Sequence, residues 1–451
     1  MGIIEWFKDR ALRKVVRLGL PVVAGKLVGS LSSLATLALL AHHLDLHTFG
    51  VIAMMRTVVI AIDQYANFNT WQAIIKYGTE SIAKGRRDDV ARVIKLGFVI
   101  DLFSGVAGAI VALALAFLIS SAFDWTAHEA VMFSLFALTL IVRGGGASDG
   151  VFRICDAYRS QAIVTSVAAI LMTGAIAVAV ALDASFDGIV LSLIVGESLG
   201  NILIVVISFW VANENGFRRW WTRSLRGTRQ MFPGIVHFLV STNGQLTVKK
   251  TQAELDIFVV GGLLGASATG LFRVVKQLGA IPGRILMPFE QVLFTELARA
   301  AAEGDYQGFQ RLLRRSAIIL GAGSLMIWAV AAIAARPMIE AIAGSEFVAA
   351  APAFRWYLLG MVILIANAPV QRAMIALGRP GTLLLFEVAT LAVLAVTTVV
   401  GALTWGLVGV SLAVLLHRAI QLVWSTWLVA HVIRGREQSR LSEPAPVSDQ
   451  L

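Results

Sequence analysis

Long apolar stretches fill most of this chain, with short polar segments between them. A helix needs roughly 20 apolar residues to cross about 30 Å of hydrocarbon. Twelve stretches meet that need, at 18–41, 51–75, 95–120, 130–152, 161–182, 188–211, 232–253, 268–295, 316–335, 353–376, 381–402 and 406–431. The expected fold class is therefore an all-α polytopic membrane protein. Outer loops such as HHLDLHTF, SAFDWTAHE and DASFD are short, and the longest lies near ARPMIEAIAGSEFVAAAPA. No loop is large enough for a second domain, which weighs against a membrane glycosyl-transferring enzyme. The chain is expected not to be an enzyme.

A set of landmarks recurs about 220 residues apart. Pro21 opens one half and Pro233 the other. Gly50 precedes Arg56 by six residues, and Gly270 precedes Lys276 by six. Basic loops follow at GRRDDVARVIK and GDYQGFQRLLRR, then Arg159 and Arg379, then Gly188 and Gly406. A doubled bundle with its site between the halves is a common transporter plan. The expected organisation is an amphipathic cytoplasmic N-terminus at 1–17 and an N-lobe of six helices at 18–211. A cytoplasmic linker at 212–231, a C-lobe of six helices at 232–431 and a cytoplasmic tail at 432–451 follow.

Composition agrees: the chain is 57% hydrophobic and 15% charged, with a mean hydropathy of +0.78. The net charge of +10 does not imply nucleic acid as a partner. Most Lys and Arg fall in alternate loops and the two tails, the positive-inside pattern, which puts both termini in the cytoplasm. Those basic loops suit the anionic headgroups of membrane lipids. The segment MGIIEWFKDRALRKVVR reads as a helix on the inner surface. A single cysteine, Cys155, excludes an internal disulfide and a cysteine metal cluster.

Ten cations lie within the stretches: Lys26, Arg56, Arg143, Lys249, Lys250, Arg273, Lys276, Arg284, Arg372 and Arg418. Each costs at least about 2.5 kcal/mol at the bilayer centre unless it faces a polar interior. Asp63, Asp101, Glu197, Glu290 and Glu387 are the acids read at depth. A net cationic interior suits an anionic substrate. Arg56 and Lys276 hold equivalent places and are the leading binding residues. Lys249, Lys250, Arg273, Arg284, Lys26 and Arg143 are further candidates, and of the adjacent Lys249 and Lys250 only one is expected to face the cavity. The alternative for Lys26 and Arg143 is pairing with a carboxylate. Asp63, Glu197 and Glu387 are coupling or pairing candidates, Asp63 being either a cation or proton site or the partner of Arg56. Gln64, Tyr65, Asn67 and Asn69 extend a polar stripe beyond it. Pro282, Pro288 and Pro369 are hinge candidates, and GGGASDG at 144–150 is expected to loosen the end of the fourth span. GGLLGAS at 261–267 is read as a lead-in to the eighth span. No metal, nucleotide or nucleophile motif stands out. No cofactor is expected beyond coupling to Na+, H+ or the membrane potential.

At these residues the chain resembles polysaccharide flippases of the multidrug/oligosaccharidyl-lipid/polysaccharide exporter superfamily. HTFGVIAMMRT, DIFVVGGLLGASATGLFRVVKQLG, ALGRPGTLLL and WGLVGVSLAV carry the likeness. The resemblance implies two six-helix lobes around a cavity open alternately to each side. It implies an undecaprenyl-diphosphate-linked oligosaccharide as substrate and a bacterial inner-membrane location. A polysaccharide polymerase and a glycosyltransferase of the same pathway are the implied partners. Related lipid II flippases use basic residues on helices two and eight, which Arg56 and Lys276 match. They carry two helices more than the twelve counted here. A cation-coupled multidrug exporter of the same superfamily is the alternative, disfavoured by the cationic interior.

Overall fold

The computed structural model describes residues 10–442 except 69, 218, 285–292, 294–296, 298–299, 301–305 and 378–379. The described chain is helix and connecting turn. In order, the helices are α1 (Arg10–His43), α2 (Leu46–Ala66), α3 (Trp71–Ala83), α4 (Arg87–Ala122), α5 (Ala127–Ala137), α6 (Gly145–Ile154), α7 (Tyr158–Ala181) and α8 (Phe186–Glu214). They continue as α9 (Ile235–Gly279), α10 (Tyr306–Ile333), α11 (Ala335–Ala343), α12 (Ala351–Ala376) and α13 (Pro380–Ser442). Among the described residues, ten segments are long and apolar enough to span a membrane. The protein is a multi-pass, all-helical membrane protein.

Two of the long helices are interrupted at a single glycine. In α13, Gly406 has φ 58° and ψ −135°, a backbone region that glycine enters at little cost. In a straight helix, Gly401 and Gly409 would lie about 12 Å apart along the axis. Here a Cβ on Gly401 would stand 3.2 Å from the Cα of Gly409. The helix therefore doubles back, and 380–405 and 407–442 form a hairpin. In α9 the break is Gly265, with φ 82° and ψ −176°. The GGLLGAS segment is thus helical apart from one residue, and not a lead-in loop. Packing explains the difference: a Cβ on Gly261 would stand 2.6 Å from the Cε of Met54, and Gly50 lies against the carbonyl of Ala266. Tertiary contact overrides the weak helix propensity of these glycines.

Three other boundaries depart from the apolar pattern. The second stretch is two helices. Asp45 starts α2 early by accepting hydrogen bonds from the backbone N–H of His47 (2.9 Å) and Thr48 (3.1 Å). Asn67, with ψ 124°, ends it, so Asn67 terminates the helix and does not extend its polar face; Asn69 lies outside the described residues. The fourth stretch gives way to a 3-10 turn at Leu138–Val142 and an extended Arg143, and the glycines of GGGASDG begin α6 instead of loosening a helix end. The first described helix runs from Arg10 through Pro21, and its membrane-length apolar part is Pro21–His43. α12 likewise runs through Pro369.

The chain divides into two compact units, Met1–Arg273 with Ile342–Glu346, and Val274–Ala341 with Phe347–Leu451. The first unit has a core of Ile74, Ile94, Val151, Phe152 and Trp220. Trp220 belongs to the polar segment after α8. It stacks on Phe98 with ring centroids 4.8 Å apart, and Lys95 donates to the carbonyl of Arg223 at 2.7 Å. The linker is docked on its unit through one tryptophan, while Trp221 remains exposed. The second unit is centred on Leu297, Phe309, Met374 and Ile433.

Gly50 and Gly270, counterparts in the repeated pattern, meet directly: a Cβ on Gly270 would lie 3.3 Å from the Cα of Gly50. Gly50→Ala would force this backbone contact apart, whereas Gly29 has nothing within 4 Å of an added Cβ. Gly50→Ala should lower the apparent Tm of purified protein by several degrees, and Gly29→Ala should leave it within a degree or two. Thermal unfolding of the two variants in one detergent checks this.

Candidate binding site

Arg56 and Asp63 stand two turns apart on one face of α2, separated by about 10 Å of helix rise. The rest of α2 is nearly all buried and apolar, from Phe49 through Val59. Arg143 reaches this face from the extended residue between the 3-10 turn and α6. Its guanidinium donates to Asp63 Oδ2 at 3.0 Å and to Glu197 Oε1 on α8. The three side chains are 18%, 23% and 13% exposed, so the bridge is largely withdrawn from water.

The bridge extends at both ends. Lys250, on the first arm of α9, is an electrostatic neighbour of Asp63. Next to it, Thr251 shares a 2.9 Å hydrogen bond with the hydroxyl of Tyr65. At the other end, Arg56 interacts electrostatically with Glu197, and with the like charges of Arg273 and Arg143. Among the described residues, Arg56 makes no side-chain hydrogen bond, and its Nε is buried without a partner. The order Arg56, Glu197, Arg143, Asp63, Lys250 alternates in sign and sets three cations against two carboxylates. Both carboxylates are committed to Arg143. A charge-assisted hydrogen bond to an anion would satisfy the open donors of Arg56.

The structure thus brings together Arg56, Arg143, Lys250, Arg273, Asp63 and Glu197. Asp63 bridges to Arg143 and not to Arg56. Arg143 has the pairing role that the sequence left as one of two alternatives. Lys26 is elsewhere, beside Asp149. Asp149 pairs with Arg153 at 3.6 Å and accepts from Gln161 at 2.8 Å. The side chain of Lys249, and Pro288 and Glu290 entirely, lie outside the described residues. Lys276, Arg284, Pro282 and Glu387 belong to the second unit. There Arg284 is half-buried with no polar side-chain partner among the described residues. Glu387 is buried in the same unit as a polar set in which Ser425 donates to Asn367 at 2.7 Å and Arg418 to Gln421 at 2.9 Å.

Asp101 has a structural task the sequence did not reveal. It accepts from Thr70 Oγ1 and from the backbone N–H of Ala147, both at 2.7 Å. It thereby caps the first turn of α6 and holds the break where Arg143 sits. Asp149 and Thr251 were also missed, and Tyr65 was read as part of a polar stripe without its partner. Asp149 lay in a glycine-rich stretch read as loose, and Tyr65 and Thr251 are 186 residues apart.

Solved structures share this multi-spanning helical fold. The lipid II flippase MurJ in an inward closed conformation matches with a TM-score of 0.70 at 13% identity, over 92% of this chain and 87% of that one. An inward-facing multidrug resistance MATE family transporter of the MOP superfamily matches at 0.69 and 13%, over 90% and 96%. The family model described as polysaccharide biosynthesis protein matches residues 39–352, and the chain belongs to that family. The Escherichia coli K12 inner membrane protein YghQ is 20% identical over 77% of this chain and 98% of its own. The Bacillus subtilis teichuronic acid biosynthesis protein TuaB is 22% identical over 59% of this chain and 53% of its own. The likeness to a polysaccharide flippase of this superfamily, read from the sequence, therefore holds.

Removing Arg143 would leave two buried carboxylates facing each other without their cation. Arg143→Met should destabilise the protein by roughly 3 kcal/mol, the lower end for breaking a buried pair. The triple change Arg143→Met, Asp63→Asn, Glu197→Gln should recover most of that loss. Urea or thermal unfolding of the first unit's tryptophan fluorescence reports both.

Proposed function

We propose that this protein is a flippase for an undecaprenyl-diphosphate-linked oligosaccharide. It moves the repeat unit from the inner to the outer leaflet of a bacterial inner membrane, by alternating access, for surface or exopolysaccharide synthesis. The observation that carries the proposal is Arg56: a half-buried arginine whose Nε is buried without a hydrogen-bond partner among the described residues, beside carboxylates already committed to Arg143. Membership of the polysaccharide biosynthesis family and the flippase and transporter folds support the reading. The proposed organisation has twelve spans in two lobes, counting the two arms of α9 and of α13 separately, with both termini cytoplasmic.

In this scheme Arg56 in one lobe and Lys276 in the other receive the diphosphate, with Lys250, Arg273 and Arg284 adding positive potential. Arg143 positions the carboxylates and does not bind substrate. A polysaccharide polymerase and a glycosyltransferase of the same pathway would act beside it. Moving two negative charges out of a cell that is negative inside is downhill by roughly 4–5 kcal/mol at 100 mV. The membrane potential can then drive transport without an Na+ or H+ gradient. A multidrug exporter of the same superfamily, acting on cationic drugs, would not be served by this surplus of cations.

Complementation of a flippase-null exopolysaccharide strain tests the function. Wild type should restore polymer. Arg56→Ala/Lys276→Ala at equal membrane level should cut flipping more than tenfold, because each lost charge-assisted hydrogen bond contributes about 1.5–3 kcal/mol. An unimpaired double variant would remove these residues from the site. In vesicles with clamped potential, flipping should rise as the interior becomes more negative, and a rate independent of voltage would exclude the driving force proposed here.

A further inference from the structure

Beside the charged face of α2 lies a cleft of about 810 Å³ within the first unit. Pockets of roughly 300–1,000 Å³ are the usual size for binding sites. α2 contributes Ile62, Tyr65 and Ala66, and α4 contributes the wall from Ile100 through Phe103 and Val111 to Leu115. From Ile100 to Leu115 the helix rises about 22 Å, most of the roughly 30 Å hydrocarbon thickness. Ala66, Ala107 and Gly108 keep the floor low. A Cβ on Gly108 would already be 3.4 Å from Ala66 and 3.5 Å from Ile62. Phe103, 70% exposed, stands along the rim.

The cleft and the ionic bridge share helix α2. Ile62, on its wall, immediately precedes Asp63, and the two side chains are about 100° apart around the helix. Tyr65 lines the cleft, while its hydroxyl reaches Thr251, next to Lys250. An apolar trough along the membrane normal therefore adjoins a set of side chains with surplus positive charge. The ligand complementary to both is an amphiphile with an anionic head and one long, branched hydrocarbon chain.

Resting on the flippase reading, we propose that this cleft between α2 and α4 holds the polyisoprenoid chain of the lipid diphosphate while the head lies against Arg56 and Lys250. The chain is then carried in a protein groove on one unit, and does not trail freely in the bilayer. The branched and aromatic walls suit a methyl-branched chain, and because that chain already lies in hydrocarbon its preference for the groove comes from van der Waals packing against those walls.

The test uses full-length protein in lipid nanodiscs and a long-chain polyprenyl diphosphate with a diazirine in its isoprenoid chain. Photolabel should concentrate on Phe103, Val111 and Leu115, and unlabelled long-chain polyprenyl diphosphate should compete it away. Ala107→Phe, which fills the cleft from an exposed position, should reduce labelling at least tenfold. Leu102→Phe, exposed on the opposite side of the same helix, should leave it unchanged, and equal Tm values for the two confirm folding. Geranyl diphosphate, with a tail too short to depend on the groove, should bind both variants as it binds wild type, and Arg56→Ala should weaken it. Label spread evenly over lipid-facing helices, competition by phospholipid alone, or insensitivity to Ala107→Phe would each overturn the groove while Arg56-dependent binding of geranyl diphosphate preserved the flippase reading. Loss of Arg56 dependence for both diphosphates would instead sink the reading and the groove together.

Discussion

A cation inside a membrane protein is tolerable only where something replaces its water, and in the first unit that constraint centres on Arg143. Its guanidinium bridges Asp63 on α2 and Glu197 on α8, and to reach both it must leave the helix. The 3-10 turn at 138–142, the extended backbone at Arg143 and the restart of α6 at Gly145 provide that position. Asp101 stabilises the restart by taking the N–H of Ala147, and Thr70 holds Asp101 from the break after α2. The breaks in the second and fourth spans thus face each other across one carboxylate. Thr70, Asp101 and Ala147 answer one another's polar groups where the helices break, as the bilayer requires of irregular backbone.

The same bridge determines which charges remain for other work. Because Asp63 and Glu197 are both turned to Arg143, neither is left to neutralise Arg56 or Lys250 fully. Had Asp63 paired with Arg56 instead, three cations would still face two carboxylates, but Arg56 would not be among the charges left over. The electrostatic character of the site therefore follows from geometry more than from a count of cations and anions. A carboxylate matters here by the direction in which it points.

The fold was largely legible in the sequence because the apolar requirement for crossing a bilayer is strict and each span must meet it alone. The family likeness rested on short strings such as HTFGVIAMMRT whose glycines have contact roles: Gly50 of that string meets Gly270 of the other half. What the sequence concealed were breaks whose cause lies elsewhere in the chain. Asn67 reads as one more polar residue on a helix, yet it ends α2. The GGLLGAS segment reads as a lead-in to the eighth span, yet packing against Met54 and Gly50 holds it helical up to Gly265. Trp220 reads as interfacial, yet it stacks on Phe98 in a core. Local propensity differs little in these cases, and long-range contact decides them.

The site was legible as a list of charges and not as a circuit. Arg56, Arg143, Asp63 and Glu197 could all be named from their depth in apolar stretches, because depth is a one-dimensional property. Their pairing depends on helix rotation and on which helices adjoin, and sequence spacing carries neither. Arg143 shows the consequence. By charge alone it resembles Arg56, but the structure gives one two carboxylate partners and leaves the other with a buried, open Nε. A guanidinium that already bridges two carboxylates is a poor receiver for a diphosphate, since a bound anion would compete with the bonds that keep the backbone break in place. Arg56 has no such bonds to lose. The distinction between a cation that builds the site and one that serves it lies in what each is already holding.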